Sequence, residues 1–596
     1  MLRRTFLTGT ATAMAVGASG LVPALAAQAG AKDTATLALL TTAADGLAEA
    51  ALAPSAGGGG YGGARGVLRQ MRRLVTVFIW PQSRYFQSEA LVQPIEDLLA
   101  RVEAAQHDDG TFSGGNRHSP PDSSFLIEDM ATVLGALKTS RQPIAEDMSA
   151  RLIAMMKKAG PPLRTGGIHT PNHRWELSAA LSKIDKVDPH PAYIARVDEW
   201  LAEGVDINAE GFYSEQSSNY AQAVSNPSLL RLANLPGREG LRALVRRNLE
   251  ATIDLSEGFY GDVETILSRR QDQAQTKQTL HTYYLQFREL AQRDNDARFA
   301  GVVRWIERND PSQLGDFLTD FMDQPSLAGP LPAPTNPFVD LQRKFETVNL
   351  VRERRGETTA SFWAGSDWFV DGEPSEFYNR IGSGIATNPT LMRLWKGGLV
   401  IEAIRLTPNF FSMGHWRPSA VTVDEAGVVR LSGEMRVPYY LPMPAAQRNP
   451  DGAYALSRSV DGRFNSALDF SHRPAQFRVL SLGMTATPDG EGYLLTFEAG
   501  GEDEVEVSIE ITLRDGGTLE GGVALEDGGV HLVDGQATYV AGDERLTVGP
   551  GNGNVPVMMS SGEQYSWARG QLALPGKRLY VTGRTPLRYD MRLAFG

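Results

Sequence analysis

Three short stretches of the chain share one pattern of acid, glycine, any residue and aromatic: Asp109-Gly110-Thr111-Phe112, Glu210-Gly211-Phe212-Tyr213 and Glu257-Gly258-Phe259-Tyr260. A fourth glycine turn, Gly166-Gly167-Ile168-His169, falls midway between the first two. Turns recurring about every fifty residues, each after an amphipathic stretch and before polar residues that lead into another helix-like run, predict a repeated helical hairpin. Such hairpins stack side by side, so their equivalent turns gather at one end. Residues far apart in sequence, such as Asn172, His173 and Tyr220, can then share a cleft. A solenoid without chemistry would have the same period. The polar residues after these turns are richer than helix capping requires.

The spacing of apolar residues is helical from about Ala35 to Asn309. Val67, Leu68, Met71, Leu74, Val75, Phe78 and Ile79 step by three and four, as do Leu91, Ile95, Leu98 and Leu99, giving one buried stripe per segment. Further helices are expected over Phe125 to Leu137, Ala145 to Lys158, Ala192 to Ala202, Arg238 to Ile253 and Lys277 to Gln292. Pro120-Pro121-Asp122-Ser123 and Thr170-Pro171-Asn172 supply helix starts. Gly57 to Gly63 lacks the Lys-Ser/Thr of a phosphate loop and reads as a flexible connection.

Five prolines, Pro325, Pro330, Pro332, Pro334 and Pro337, then rule out a helix interior and predict an extended linker. Beyond it, Leu399 to Arg405, Gln476 to Leu482, Tyr493 to Glu498 and Val505 to Leu513 are short β-branched or aromatic runs between Asp-Gly and Gly-Gly turns. Strands without intervening helices build an antiparallel sandwich or stacked sheets. The expected organisation is an α+β multidomain chain: 27–324 helical, 325–340 linker, 341–596 antiparallel sheet. A chain of 596 residues exceeds what one core supports, which agrees with that division.

The N-terminus indicates export. Arg3-Arg4-Thr5-Phe6-Leu7 is a twin-arginine signature, and Ala24-Leu25-Ala26 is a small-residue cleavage site, so residues 1–26 read as a signal peptide. The mature protein is then expected to be periplasmic or secreted, without a membrane anchor, because no later run approaches about 20 apolar residues. The absence of cysteine excludes disulfides and thiolate chemistry. A net charge of -12 argues against nucleic acid, whose phosphates need a surface excess of Lys and Arg. Local basic groups such as Arg269-Arg270 and Arg352, Arg354 and Arg355 are candidates for an anionic ligand, although charge runs are more often solvated faces. The nine histidines show no metal-ligand spacing. No cofactor is expected, and the sequence leaves a structural or catalytic metal open.

Chemistry concentrates in two motifs, Thr170-Pro171-Asn172-His173-Arg174-Trp175-Glu176-Leu177 and Gly211 to Tyr220. The first packs amide, imidazole, guanidinium and carboxylate at a helix start, where unpaired N–H groups and the dipole already favour anions. A plain cap at Asn172, with His173 and Trp175 in the core, is its structural alternative. In the second, Glu215 and Asn219 lie four apart, as do Gln216 and Tyr220, so a helix there would present two polar stripes. Tyr213 and Tyr220 are candidate proton donors or acceptors, with His173 in the complementary role. In the sheet half, His415 and Trp416 lie in a polar and aromatic loop, Asn409 to Arg417, that could close a cleft or equally form a buried cluster.

Helical repeats followed by sheets, with Asn172-His173, a later Tyr220 and Ser268-Arg269-Arg270-Gln271-Asp272, resemble the polysaccharide lyases built from an α/α toroid and an antiparallel β-sandwich, the group of hyaluronate, chondroitin, alginate and heparinase-type lyases. The motif wording departs from the Asn-Trp-Trp and Asn-Arg patterns of the hyaluronate group, which leaves the substrate open. The resemblance implies β-elimination at a uronic acid in an acidic polysaccharide or oligosaccharide. Asn172 with an Arg or His would neutralise the carboxylate. His173 or Tyr220 would take the C5 proton, and Tyr220 or Tyr213 would protonate the leaving oxygen. Arg174, Arg269 and Arg270 would position the sugar, and Glu215 and Asn219 would orient neighbours or bind hydroxyls. The alternatives are a toroid glycoside hydrolase using Glu176 and Glu215 and a non-catalytic periplasmic glycan-binding protein; under any of these readings a monomer or homodimer is expected.

Overall fold

The computed structural model describes residues 32–52, 63–274, 277–370, 373–374, 384–460, 464–526, 528–553 and 574–596. The signal-peptide segment and nearly all of the glycine connection lie outside these residues.

The helical half consists of an N-terminal helix α1 (Thr34–Leu52) and five hairpins. These are α2 (Ala64–Ile79) with α3 (Glu89–Ala104), α4 (Pro120–Leu137) with α5 (Pro143–Thr165), α6 (His173–Asp185) with α7 (Pro191–Ala202), α8 (Asn226–Leu232) with α9 (Leu241–Leu255), and α10 (Tyr284–Asp294) with α11 (Ala297–Asn309). The first helix of each hairpin packs on the first helix of the next, α2 on α4, α4 on α6, α6 on α8 and α8 on α10, so these form an inner layer. A short helix, α12 (Leu318–Asp323), packs against α1, α2 and α4. This is the α/α toroid that the repeated turns imply.

Position in the layer accounts for sequence. Helix α6 is inner, and Trp175, Leu177, Ala179, Ala180, Leu181 and Ile184 are all fully buried around it. Outer α7 buries only Tyr193 and Val197, the single stripe of a helix with one face in water. Helix α4 begins where the proline pair predicts, but its cap is Ser119, whose hydroxyl accepts from Asp122 N at 3.1 Å. The proline rings fix the first-turn dihedrals at positions whose N–H groups lack intrahelical partners. Helix α1 corrects one expectation. It is the one helix among the described residues long and apolar enough to cross a membrane. It is nevertheless packed into the fold: Leu40, Ala44 and Ala48 are buried, and Thr36 and Thr41 bond to Glu307 and Trp80.

Residues 325–340 open with the 3-10 turn Pro325–Ala328 and run extended along α11. Thr335 N donates to Ala297 O at 3.0 Å, and Phe338 meets Trp305 edge to face at 5.8 Å.

Among the described residues the second half is two large stacked sheets and two small two-stranded ones, antiparallel except where Val530–His531 runs parallel to Lys577–Arg584. One sheet is ordered around Leu341–Phe345, Leu350–Arg355, Thr358–Trp363, Met392–Lys396, Leu399–Pro408, Glu506–Leu513 and Lys577–Arg584. The other centres on Leu587–Phe595, Gly492–Gly500, Ala475–Asp489 and Val429–Tyr440. In Gly492–Gly500, Tyr493, Leu495, Phe497 and Ala499 are buried, the period-two pattern of a strand with one wet face. Leu399–Pro408 is buried at every residue. The first sheet is covered on both faces, by its partner and by the helical half, and Phe345, Leu350 and Trp363 join the helical core.

That double cover overturns the expectation for Arg352, Arg354 and Arg355 as anion contacts. Arg352 and Arg354 are buried; Arg352 Nη1 donates to Ser361 Oγ at 2.6 Å, and Arg354 Nη2 to Ser256 O at 2.6 Å. Arg355 caps Tyr493 and pairs with Glu353. Around Arg352 a buried ionic network crosses between the halves. Arg393 pairs with Glu264 at 2.8 Å and Glu402 at 2.7 Å, and Arg514 pairs with Glu402 and Asp262, both at 2.5 Å.

Candidate active site

All four glycine turns join an outer helix to the next inner helix, so they occupy the same position in successive repeats. Two are built alike. His107 N donates to Thr111 O and Asn208 N to Phe212 O, with Gly110 and Gly211 before the acceptor at φ 89 and 96°. A Cβ on Gly110 would lie 2.0 Å from Lys158 O, and one on Gly211 2.5 Å from Arg247 O, both carbonyls of the following outer helix. Glycine is therefore required twice over, for left-handed backbone and for close approach. The third stretch is shifted. There Glu257 N donates to Asp262 O, and the left-handed glycine before the acceptor is Gly261, not Gly258. The insertion leaves Phe259 and Tyr260 exposed, whereas the aromatics Phe112 and Tyr213 are buried.

Successive turns touch, and their contacts form the site. Asn172, just before α6, donates from Nδ2 to Glu215 Oε2 at 2.5 Å. Glu215 Oε1 pairs with Arg270 Nη1 at 3.2 Å, and Glu215 O accepts from Arg269 N at 3.0 Å. Arg270 Nη2 donates to Tyr220 Oη at 3.2 Å, with the guanidinium 4.5 Å from the ring centre. Three turns are thus tied by one chain, Asn172–Glu215–Arg270–Tyr220. Tyr220 Oη in turn donates to Gln271 Oε1 over 3.4 Å, a long bond.

His173 adjoins this chain. Its ring meets His169 edge to face at 4.7 Å and Phe125 at 6.2 Å, and Arg65 lies 3.9 Å over Phe125. Burial, followed by the nearby His169, lowers the imidazole to about 4 against the weaker opposing pull of Asp122. The ring is consequently neutral at neutral pH, and its Nδ1 is buried without a hydrogen-bond partner. Burial raises the Glu215 carboxyl, opposed by the Asn172 bond and the charge of Arg270. Exposure is graded across the site: Asn172 is 1% and His173 9% exposed, Arg270 and Tyr220 are half-buried, and His169 and Gln271 face solvent.

Local backbone places the phenol. No helix carries Glu215 and Gln216, because Gln216 is left-handed at φ 50° and the helical turn starts only at Ser218. The expected pair of polar stripes is absent. Instead Ser217 Oγ accepts from Tyr220 N at 3.1 Å and donates to Asp272 Oδ2 at 2.9 Å, while Asn219 N donates to the same oxygen at 3.2 Å. Ser268 also donates to Asp272. A π-helical turn, Ala221–Ser225, follows directly; such turns cost helix stability and recur at functional sites. Burial raises the Asp272 carboxyl against the pull of its three hydrogen bonds from Ser217, Asn219 and Ser268, which fix the turn that presents Tyr220. Asn219 itself is committed locally, with Oδ1 accepting from Gln222.

Other expected site residues lie elsewhere. Tyr213 is buried, its hydroxyl donating to Asn226 Oδ1 at 2.8 Å; Asn226 Nδ2 bonds Asn248, and Asn248 Nδ2 bonds Gly211 O. Burial pushes that phenol well above its ordinary range, so Tyr213 is a packing residue closed into an amide ladder. Arg174 pairs with Glu203 and Asp206 and stacks on Trp175, so its guanidinium is already engaged outside the Asn172–Tyr220 chain. Arg269 is held by Asp367 through two bonds of 2.8 Å, joining the turn to the sheet half. His415 and Trp416 are buried, His415 Nδ1 bonding Thr407 Oγ1 at 2.6 Å, and cannot close a cleft. Glu176, the hydrolase candidate, is buried against Ser228 Oγ at 3.0 Å and raised to about 8 by burial and Glu128. It does not face Glu215 across an opening.

His169, Arg65 and Gln271 carried no role in the sequence reading. His169 belongs to a recognised turn and Gln271 to the Ser268–Asp272 motif, so position alone could have flagged both; Arg65 gave no signal. Among the described residues no group of His, Asp and Glu is arranged to hold a metal ion.

No known family matches the sequence, and no curated protein does. Solved structures do match in fold. Heparinase III aligns over 89% of this chain and 76% of its own, at 11% identity and a TM-score of 0.52. A mutant chondroitin AC lyase from Streptomyces coelicolor A3 aligns over 94% of this chain and 79% of its own, at 14% identity and a TM-score of 0.50. The toroid-plus-sheet architecture is thus the fold of these polysaccharide lyases.

Proposed function

We propose that the protein is an exported lyase that cleaves a uronic-acid-containing polysaccharide by β-elimination. The observation that carries this reading is the Asn172–Glu215–Arg270–Tyr220 chain with a neutral imidazole beside it, at the end of the toroid where the turns meet. The C5 proton of a uronate is hard to remove while the neighbouring carboxylate is negative, so a cation must take up that charge first. Arg270 is half-buried, already hydrogen-bonded to the phenol, and suited to two parallel bonds with a carboxylate. Asn172 and Glu215 hold its position.

His173 then removes the C5 proton, a role that requires the unprotonated ring that burial maintains. Electrons of the C5–H bond form the C4–C5 double bond as the C4–O bond breaks. Tyr220 transfers its hydroxyl proton to the departing oxygen, exchanging its long bond to Gln271 for one to substrate. The phenol regains a proton as His173 loses one, and no water enters the bond cleavage. The twin-arginine segment supports export, which would bring the enzyme to an extracellular polymer.

The test is a screen of glucuronate-, galacturonate- and mannuronate-containing polymers, following absorbance in the near ultraviolet. A lyase gives an unsaturated product that absorbs there. Reducing ends without a chromophore would indicate hydrolysis, and an unchanged polymer that binds in calorimetry would indicate a glycan-binding protein.

A further inference from the structure

At one end of the two-sheet stack, a depression of about 520 Å³ opens between the end of strand Leu399–Pro408 and the segment 502–506. Its size falls within the roughly 300–1,000 Å³ of small-ligand sites. Its wall includes Asn409, Phe411, Arg478, Glu502, Glu506 and Arg584, none of which belongs to the Asn172–Tyr220 chain. We propose that this depression is a second, non-catalytic saccharide site for uncharged hexopyranose units, built by Phe411 at its mouth and charged and amide groups around it.

Three observations converge there. Phe411 and Ser412 both adopt left-handed backbone, φ 50 and 55°, which is strained for a bulky residue and concentrates where function requires it. The strain holds an apolar ring in the open: Phe411 is 38% exposed. Edge contacts from buried Phe410 at 4.9 Å and from Tyr439 at 5.9 Å fix its attitude. A ring held in this way stacks on the C–H face of a pyranose with little ordering to lose.

The polar groups of the wall are only loosely satisfied by one another. Arg478 meets Glu502 at 3.4 Å, Arg584 meets Glu504 and Glu506 at 3.3 Å, and Asn409 Nδ2 reaches Glu506 Oε2 at 3.3 Å. Bonds this long are readily exchanged for sugar hydroxyls, which both donate to carboxylates and accept from guanidinium and amide groups. Charge selects the class of ligand. Among the lining residues, the four carboxylates Glu502, Asp503, Glu504 and Glu506 outnumber the two cations, Arg478 and Arg584, so a polyuronate is repelled and a neutral sugar is not.

The proposal does not depend on the lyase reading. Cellobiose, maltose and lactose, with a galacturonate oligomer as the anionic contrast, are titrated into the mature protein and followed by saturation-transfer NMR and calorimetry. At least one neutral disaccharide should bind saturably with a Kd of about millimolar, and Phe411→Ala should weaken it at least about tenfold without lowering the melting temperature. Tyr220→Phe should leave that binding unchanged. Should Phe411→Ala fail to fold, Asn409→Ala carries the same expectation. Absence of saturable binding by all three sugars, equal binding in a folded Phe411→Ala or Asn409→Ala protein, or loss of binding in Tyr220→Phe would each overturn the proposal.

Discussion

Two charged clusters draw on neighbouring stretches of one turn, residues 262–264 and residue 270, and do opposite things. Asp262 and Glu264, with Glu402, are enclosed with Arg352, Arg393 and Arg514 where the halves meet; each of the six is 7% exposed or less. A few residues on, Arg270 pairs with Glu215 and bonds Tyr220, and that cluster grades from buried Asn172 to solvent-facing Gln271. The residue types are the same. Where carboxylates and guanidiniums saturate one another out of water they fix the relation of two layers; where one side stays open, the same pairing holds a cation and a phenol at the solvent edge.

The largest effect is expected in the enclosed cluster. Arg393→Ala leaves Glu264 and Glu402 buried without their shared partner and should cost about 3–5 kcal/mol in denaturant unfolding. A loss below about 1 kcal/mol would mean that water reaches the network and would erase the contrast.

Next is the pH response of the open cluster. His173 is held near 4 when folded and titrates at about 6.5 when unfolded, so between these values the unfolded chain binds more protons and stability falls as pH falls, by on the order of 3 kcal/mol across the window. The difference in unfolding free energy between the wild type and His173→Gln, measured at pH 7.5 and pH 4, should shift by this amount.

Tyr220→Phe should lower turnover at least about 100-fold, near 2.7 kcal/mol of barrier, with the far-ultraviolet spectrum unchanged. Retained turnover would move the chemistry away from the open cluster. Asp272→Asn acts through Tyr220 and should cost less, about tenfold in kcat with KM nearly constant, the signature of a displaced proton donor and not of lost binding. Arg174→Ala should be smallest, within about 1 kcal/mol in stability and about threefold in turnover, because Glu203 is exposed and Asp206, which keeps its bond from Ser214, is not left without a partner.

Legibility followed the range of the interaction. Hairpin repeats and strands were readable because period and turn chemistry are local: Leu399 to Arg405, Gln476 to Leu482 and Tyr493 to Glu498 all fall in strands. Gathering of the turns was readable from the repeat, and Asn172, Glu215, Arg270 and Tyr220 do form one bonded chain. Burial was not readable. Tyr213, His415, Trp416 and Arg352 resemble site residues in type, yet each lies inside a packed layer that only the stacking of distant elements creates. The turn that is one residue longer and puts Gly261, three positions on, in the role expected of Gly258 was likewise invisible, since both glycines occur in the same short stretch.

Gly110 and Gly211 set more than the shape of their turns. Each presses bare backbone against a carbonyl of the outer helix that follows, Lys158 O and Arg247 O, so the spacing between neighbouring repeats is gauged there by the width of a hydrogen atom. A methyl group at either point would wedge two repeats apart and open the arc. Alanine substitutions at these positions would then alter the opening where the turns meet before they touch any side chain of the Asn172–Tyr220 chain.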